Sequence, residues 1–326
     1  MQSVSITDIP GFKLGNAQNF AAATGCTVIL CPAGAVAGVD VRGGAPGTRE
    51  TDLLKPENLV DRIHAVMLAG GSAFGLDAAA GAMQFLEEQG CGFDVGVAKV
   101  PIVVGAVLFD LTCGDARIRP DKIMGFQACK NAATETFFTG SVGAGTGATV
   151  GKVFGPERAM KGGLGAYCVQ EGELLIGAVV AVNCLGDVID PARGEIIAGA
   201  MRTDPFGFLD CEAGMIRRFT DPGNRFTGNT TIGAVITNAN ITKAQATKVA
   251  SMAHDGYART MRPSHTMLDG DTIFTLSVGG VDADISVIGA MAAKAMEQAV
   301  LNAVKEATSL AGFRCYREVE LLKQGI

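Results

Sequence analysis

Two aspartates and one lysine are candidate catalytic residues because of their side-chain chemistry and their positions in the sequence. Asp269 and Asp271 are separated by one glycine at the entry to the alternating stretch 272–278, and residues i and i+2 of an extended chain point to one face. Two like charges on one face repel unless a cation or a hydrogen-bond donor lies between them, so the pair predicts a partner. A plain acidic turn is the alternative. Lys152 stands alone between apolar segments, which is typical of a residue near a site or of a solvated loop lysine.

A serine between a predicted strand and a predicted helix offers a second chemistry. Residues 70–75 (GGSAFG) are close to the G-x-S-x-G motif of serine hydrolases, but Phe74 replaces the required glycine after Ser72. An esterase built on Ser72 would need His254 or His265 as its base. A tight turn that lets a strand and a helix pack closely is the competing interpretation.

Signatures of cofactors and metals are weak. Residues 143–148 (GAGTGA) satisfy G-x-G-x-x-A, yet the helix that a dinucleotide site requires is not predicted after them. Lys152 follows Gly151 as at the end of a P-loop, but Val153 stands where a hydroxyl must bind magnesium. None of the nine cysteines forms the C-x-x-C spacing of zinc sites. The sequence therefore predicts neither a cofactor nor a metal.

Composition narrows the class of protein. The 326 residues are 48% hydrophobic and 18% charged, which predicts a folded chain with a sizeable core. A net charge of −6 gives no basic surface, so no nucleic-acid partner is expected. The apolar stretches 101–109 and 174–182 are much shorter than the roughly 20 residues of a membrane helix. The N-terminus lacks a secretory signal and the cysteines are interpreted as buried, reduced thiols, so we expect a cytoplasmic protein without a membrane partner.

The elements that must position these residues follow no regular βαβ rhythm, which favours α+β layers over a doubly wound parallel sheet. Predicted strands cover residues 26–31, 65–68, 102–109 and 178–182, and predicted helices cover residues 72–89, 121–134, 242–262 and 285–310. Residues 191–229 are rich in turn formers and charges, which predicts a long irregular surface loop. The loop ends at a predicted strand over 230–237, and such a loop is a frequent location of functional residues.

Several motifs follow one another in order along the chain: VRGGAPGTRETDLL at 41–54, LAGGSAFGLD at 68–77, GAGTG at 143–147 with GK at 151–152, GNTTI at 228–232 and DGDT at 269–272. Together, over a span from about residue 8 to about residue 310, they resemble the DmpA-like autoprocessing aminopeptidases. This family includes L-aminopeptidase/D-esterases, β-aminopeptidases and nylon-oligomer endohydrolases. The resemblance implies a four-layer αββα sandwich of the N-terminal-nucleophile hydrolase type, formed by one catalytic domain over 1–326. It also implies self-cleavage of the Asn229–Thr230 bond into chains 1–229 and 230–326.

The resemblance further implies a role for each of five residues. Thr230 would be the nucleophile, Asn183 an oxyanion donor and Lys152 a supporting cation. Asp269 and Asp271 would be the acidic pair that holds the nucleophile. The Asn-Thr junction and the DGD pattern are most similar to the nylon-oligomer branch, because the β-aminopeptidase branch tends to use serine at the junction and a Ser-Gly-Glu motif.

One position departs from the nylon-oligomer branch. Where that branch has a site tyrosine, this sequence has Phe109, followed by Asp110. Phe109 is therefore a candidate substrate-binding residue without the hydroxyl, and this difference bears on which substrates the two proteins share.

The function implied by the resemblance is a self-cleaving N-terminal-threonine hydrolase of amide bonds, an aminopeptidase also able to act as an amidase or esterase on amino-acid derivatives. Its substrates would be small peptides, amino-acid amides or amide oligomers, and it would form a homo-oligomer such as a tetramer. An endo-acting hydrolase of ω-amino-acid oligomers is the alternative within the class. An unprocessed, non-catalytic relative that binds a small molecule is the alternative from another class.

Overall fold

The structure is a computed structural model that describes residues 1–132, 136–204, 206–217 and 228–324. Its strands are β1 (Gln2–Val4), β2 (Lys13–Asn19), β3 (Thr24–Val41), β4 (Thr48–Arg49), β5 (Arg62–Ala69), β6 (Phe93–Asp94), β7 (Lys99–Val100), β8 (Val103–Val107), β9 (Thr149–Val150), β10 (Met160–Lys161), β11 (Gly163–Glu171), β12 (Leu174–Val182), β13 (Asp187–Asp190), β14 (Glu195–Ala198), β15 (Met201–Thr203), β16 (Phe206–Phe208), β17 (Ile232–Ala239), β18 (Met261–Arg262) and β19 (Thr272–Val281). Its α-helices are α1 (Ala78–Glu88), α2 (Lys122–Asn131), α3 (Cys211–Arg217), α4 (Lys243–Thr260), α5 (Ile285–Glu306) and α6 (Tyr316–Lys323). Short 3₁₀ helices cover Ile6–Asp8, Asp52–Leu54, Ser72–Asp77, Gly143–Gly145 and Pro156–Arg158.

Ten strands share one hydrogen-bonded network in the order β1-β11-β12-β17-β19-β3-β5-β8-β4, with β2 paired to β3 as well. The pairs β17/β19 and β5/β8 are parallel, and the other neighbours are antiparallel. The 18-residue strand β3 pairs through its first half with β2 and through its second half with β19. A register shift against β5 separates the halves, between Leu30 and Ala35. Because such a bulge bends a strand, β3 connects two layers of sheet.

Three apolar cores separate four layers. On β17, Ala234 and Ile236 face the core between the two sheets, whereas Val235 faces α4 and α5. In the second sheet, Leu68 of β5 faces the middle core and Met67 faces α1 and α2. This alternation follows from the two-residue period of a strand, and it confirms the predicted αββα order of helices, sheet, sheet and helices. All nine cysteines are unpaired and eight of them are buried.

The main helices begin at side-chain caps. Thr242 and Gln245 form a capping box at the start of α4, and Asp121 and Asp284 accept backbone N–H groups at the starts of α2 and α5. These caps satisfy donors that a helix leaves free at its first turn, and they explain why the predicted starts lie within one residue of the observed ones. Within the described residues, none of the helices combines the length and the hydropathy needed to cross a membrane.

Some sequence predictions of local structure were wrong in extent. The strand predicted over 26–31 is only part of β3, because Pro32 and Gly34 interrupt the pattern while the chain continues through its bulge. The helix predicted from residue 72 begins as a 3₁₀ turn and becomes α-helical at Ala78. The predicted loop 191–229 contains β14, β15, β16 and α3, elements of three to seven residues that are too short for a periodic signal. Residues 133–134, 205 and 218–227, also covered by the sequence predictions, lie outside the described residues.

Candidate active site

Sheet register brings the predicted site residues together. Thr230 lies two residues before β17 and Asp271 lies one residue before β19, and these strands are parallel neighbours with their first residues paired. Thr230 consequently lies beside Gly270, where an added Cβ would come within 2.7 Å of the threonine hydroxyl oxygen. Asn183 follows β12, which runs antiparallel to β17 and meets its first residue at Ala181. The ends of three adjacent strands thus place the threonine, the acidic pair and the asparagine side by side.

Thr230 is buried, with 4% of its surface exposed, and its contacts hold it against the junction. Its backbone N–H donates to the carbonyl oxygen of Asn183 at 3.0 Å. Its hydroxyl donates a hydrogen bond to the carbonyl oxygen of Asn229. The hydroxyl therefore contacts the peptide group of the bond whose cleavage the resemblance implies.

Lys152 is a buried cation whose side chain donates hydrogen bonds to Asn183 and to Gly228. Its Nζ donates to the backbone carbonyl and to Oδ1 of Asn183, both at 3.0 Å, and to the carbonyl of Gly228 at 3.3 Å. Burial lowers the pKa of Lys152 to about 8, and the charge of Asp269 acts against that shift. Lys152 is thus buried beside Asn183 and Gly228, and it is not a solvated loop lysine.

Asn183 uses each of its polar side-chain atoms. Its Oδ1 accepts from the backbone N–H of Thr149 at 2.9 Å as well as from Lys152, and its Nδ2 donates to the carbonyl of Phe109 at 3.0 Å. An amide group has two N–H donors, so one donor of Nδ2 is engaged by Phe109. These bonds fix the plane of the Asn183 amide next to Thr230.

Asp271 links the backbone after Thr230 to a histidine. Its Oδ1 accepts from the N–H of Thr231 at 2.9 Å. Its Oδ2 accepts from the backbone N–H of His265 at 3.0 Å and from Nδ1 of the same residue at 2.9 Å. Among the described contacts, Asp271 therefore holds the neighbour of Thr230 rather than Thr230 itself.

Asp269 binds the turn before β19 to the loop that follows β12. Its carboxylate accepts from the N–H and the hydroxyl of Thr266 and from the N–H of Leu185 at 3.3 Å. Burial, followed by the negative charge of Asp271, raises the pKa of Asp269 to about 6, while the hydrogen bonds and Lys152 act in the opposite direction. The partner that the acidic pair was predicted to need is thus a set of donors, with Lys152 as the nearby cation.

The motif at 41–54 supports the DGD turn through its backbone. Ala45 N–H donates to the carbonyl of Asp269 at 2.8 Å, and Arg42 N–H donates to the carbonyl of Asp271 at 2.9 Å. A Cβ at Gly43 would lie 2.2 Å from the carbonyl oxygen of Asp269. Only glycine fits at that distance, so this segment is part of the site although it contributes no reactive group.

Phe109 lies at the junction, where it packs against Gly228. A Cβ on Gly228 would come within 2.1 Å of the Phe109 ring, and Gly228 has a φ of +58°, in the left-handed region. The carbonyl of Phe109 also accepts from Asn183. The structure therefore places Phe109 with the predicted nucleophile.

Replacing Gly228 with alanine is expected to slow any cleavage at the junction by about 10- to 100-fold, because the methyl group must displace the Phe109 ring or the chain beside Thr230. Gly172 gives a matched control: it has the same φ of +58°, and a Cβ there meets nothing within 4 Å. Gly172→Ala should cost about 1 kcal/mol of stability without altering cleavage. The measurement is the time course of the two fragments on denaturing gels, and equal rates for both variants would contradict the expectation.

The structure gives Ser72 no histidine base. Ser72 has a φ of +53° and donates its backbone N–H to Leu108 at 2.9 Å. His254 contacts the carbonyl of Asp40 through Nε2, His265 contacts Asp271 through Nδ1, and their other ring nitrogens have no hydrogen-bond partner in the described part of the chain. Neither histidine thus serves Ser72, and the tight-turn interpretation fits its position.

Sequence reasoning had not assigned His265, Thr266 or Gly228 to this site. Thr266 carries the one signal that could have found it, since Thr-x-x-Asp spacing is typical of reciprocal side-chain and backbone capping. Nothing in the sequence around His265 indicates that its ring faces Asp271. Within the described residues, no group of three or more His, Cys, Asp or Glu side chains is placed to hold a metal ion.

The arrangement of layers is shared with enzymes of known structure. The L-aminopeptidase D-Ala-esterase/amidase of Ochrobactrum anthropi, a variant of the Ntn hydrolase fold, aligns with a TM-score of 0.72 at 18% identity, covering 100% of this chain and 96% of that chain. The fold is therefore that of the N-terminal-nucleophile hydrolases.

Sequence comparison gives the family. The model of peptidase family S58 matches residues 4–317. An uncharacterized aminopeptidase of Mycobacterium leprae (strain TN) is 41% identical over 96% of this chain and 93% of its own length. A 6-aminohexanoate-oligomer endohydrolase of Kocuria sp. (strain KY2) is 33% identical over 91% of this chain and 85% of its own length. The chain belongs to peptidase family S58, and it is a hydrolase of amide bonds.

Proposed function

We propose that the protein is a self-cleaving N-terminal-threonine hydrolase that acts as an aminopeptidase. The observation that carries the proposal is the contact between the Thr230 hydroxyl and the Asn229 carbonyl oxygen. The Asn183 carbonyl holds the amide of Thr230 at the same time. A buried hydroxyl held against its own preceding peptide group supports an intramolecular attack on that group.

Self-cleavage proceeds in two steps. Thr230 Oγ1 attacks the carbonyl carbon of Asn229, the C–N bond breaks, and the proton of the hydroxyl goes to the departing nitrogen. Water then hydrolyses the resulting ester, which leaves a carboxylate on Asn229 and restores the hydroxyl of Thr230. The products are chains 1–229 and 230–326, and the second begins with a free α-amino group.

That α-amino group supplies the base in the mature enzyme. A threonine hydroxyl is a weak nucleophile and needs an adjacent base, and an unperturbed α-amine has a pKa of about 7.7 to 8.0. A useful fraction of it is therefore neutral near pH 7. Thr230 attacks the substrate carbonyl, the amine passes the proton to the leaving group, and water hydrolyses the acyl-enzyme.

Fixed charges and donors around Thr230 support each step. Asn183 Nδ2 is the proposed oxyanion donor, through the N–H that does not bind Phe109. Lys152 stabilises negative charge near the junction, and its lowered pKa of about 8 places its own titration close to that of the amine. Asp271 and Asp269 compensate an ammonium group at Thr230 and fix the backbone around it.

The relatives support two substrate classes. The mycobacterial relative is named an aminopeptidase and is more similar to this chain than the endohydrolase of 6-aminohexanoate oligomers, which favours cleavage next to a free amine. The Asn-Thr junction and the DGD pattern support the endo-acting alternative. A reaction without cofactor, assembly into a homo-oligomer and a cytoplasmic location stay predictions.

Intact-mass analysis with N-terminal sequencing tests the proposal. The purified protein is expected to give two fragments, 1–229 and 230–326, with a new terminus at Thr230. A panel of amino-acid p-nitroanilides should be hydrolysed when the amine is free and not when it is acetylated, because an aminopeptidase acts next to that amine. Equal hydrolysis of acetylated 6-aminohexanoate oligomers would favour the endo-acting alternative. A chain that stays whole and inactive would contradict the proposal and favour the non-catalytic binding protein.

A further inference from the structure

His265 donates two hydrogen bonds to the same carboxylate oxygen of Asp271. It lies in the turn before β19, and its φ of +57° is in the left-handed region. From this conformation its backbone N–H and its ring Nδ1 both reach Oδ2 of Asp271, at 3.0 and 2.9 Å. A carboxylate group has little freedom to rotate when two donors of one residue bind the same oxygen.

The second oxygen of Asp271 holds the backbone beside the nucleophile. Its Oδ1 accepts from Thr231 N–H at 2.9 Å, and Asp271 is only 1% exposed. Water therefore has little access to replace either set of donors. The position of the residue after Thr230 depends on the orientation of this carboxylate, which in turn depends on His265.

The surroundings of the His265 ring leave Asp271 as its hydrogen-bonded partner. The rings of His254 and Tyr257 lie 4.8 and 6.3 Å away, centroid to centroid. Within the described residues, the buried Nε2 of His265 has no hydrogen-bond partner, and the same holds for Nδ1 of His254 and the hydroxyl of Tyr257. His254 instead contacts the carbonyl of Asp40. These rings pack around His265 and limit its rotation, while Nδ1 alone directs it towards Asp271.

We propose that His265 is a positioning residue for the nucleophile, acting through Asp271 on the Thr231 amide so that Thr230 stays aligned for attack. This inference rests on the proposed function. It requires that Nδ1 of His265 carries a proton, because the carboxylate can only accept. Both the neutral Nδ1–H form and the doubly protonated form of the ring meet that condition.

Two substitutions separate the donor from the backbone conformation. Asparagine and glycine both tolerate a left-handed φ. His265→Asn retains a side-chain N–H near the position of Nδ1, whereas His265→Gly retains only the backbone donor. His265→Asn is expected to keep self-cleavage and kcat within about threefold of the wild type. His265→Gly should reduce both by about 10- to 100-fold, the scale of a lost hydrogen bond to a charged group, with KM within about twofold because His265 is not proposed to touch substrate.

The outcomes distinguish this inference from the proposed function. Wild-type cleavage at Thr230 together with full activity of His265→Gly would overturn the role of His265 and leave the proposed function intact. Equal losses in His265→Asn and His265→Gly, at equal melting temperatures, would also overturn it, since the donor would then be irrelevant. A wild-type chain that is neither cut nor active would instead overturn the proposed function.

A measurement on the wild-type protein covers the case in which His265→Gly does not fold. The chain has three histidines, so the ring ¹⁵N shifts of His265 can be assigned by substituting the other two. A protonated Nδ1 across the folded pH range is expected. An unprotonated Nδ1, with the proton on Nε2, would overturn the inference without any variant at position 265.

Discussion

Thr230→Ala is expected to remain a single chain of 326 residues and to lose at least about a thousandfold in amide hydrolysis, the scale seen when a nucleophile is removed. The reason is specific to the junction, where the Thr230 hydroxyl contacts the Asn229 carbonyl oxygen. Without Oγ1 no ester forms, the chain is not cut, and the α-amine that would serve as base is never released. Intact-mass analysis and hydrolysis of p-nitroanilides measure both effects.

Two variants control for changes in packing. Thr231→Ala removes a buried hydroxyl that contacts only the sulfur of Met261, at 3.5 Å, among the described residues, and it keeps the amide that Asp271 binds. It should be cut and active within a few-fold of the wild type. Thr230→Ser keeps a hydroxyl and should also be cut. Normal processing of Thr230→Ala would show that the nucleophile lies elsewhere.

Lys152→Met is expected to reduce self-cleavage and turnover by at least about 100-fold while the chain still folds. The ammonium group donates to two oxygens of Asn183 and to Gly228, each bond of a kind that contributes roughly 1.5–3 kcal/mol. Both oxygens of Asn183 keep another donor, from Thr149 and Thr230. The two oxygens of Asn183 therefore stay satisfied and the chain is expected to fold at lower stability, whereas the site loses its buried positive charge.

Lys161 provides the matched control for Lys152. It is also fully buried, and burial lowers its pKa to about 8 as well. Its Nζ donates to the carbonyls of Thr146 and Ala148, at 2.8 and 2.6 Å, and no contact joins it to the junction among the described residues. Lys161→Met should lower the melting temperature and leave the cleavage rate within about tenfold of the wild type. Equal losses of cleavage in both variants would mean that Lys152 acts through stability alone.

The sequence indicated the candidate residues of the site better than it indicated the contacts between them. Thr230, Lys152 and the Asp269–Asp271 pair occur in short motifs, and motifs can be read without a structure. The link from Asp271 through His265 could not be predicted, because it depends on a left-handed φ at a histidine, which local propensity disfavours. The contact between Gly228 and Phe109 joins residues far apart in sequence, and no periodic pattern encodes such a pairing.

For the fold as well, some features were predicted from the sequence and others depend on tertiary contacts. The order of the predicted elements favoured α+β layers and the resemblance implied their αββα order, while the helix starts predicted at residues 121, 242 and 285 lie within one residue of the observed ones. The length of β3 was missed because a proline and a glycine interrupt its pattern, and the sheet supports the chain through the bulge. Tertiary pairing overrides local propensity at that point.

The strands β17 and β19 belong to the shorter predicted product, and they lie between β12 and β3 of the longer one. In the uncut chain, folding joins these strands within one molecule and does not depend on protein concentration. If the proposed cut occurs, complete unfolding would release two separate chains, and refolding would become a bimolecular encounter that dilution slows. Neither proposed product would have a complete central sheet, so the proposed function requires the chain to fold first and be cut second. The lifetime of the folded mature enzyme would therefore be set by a slow rate of unfolding, because its two chains would not refold readily.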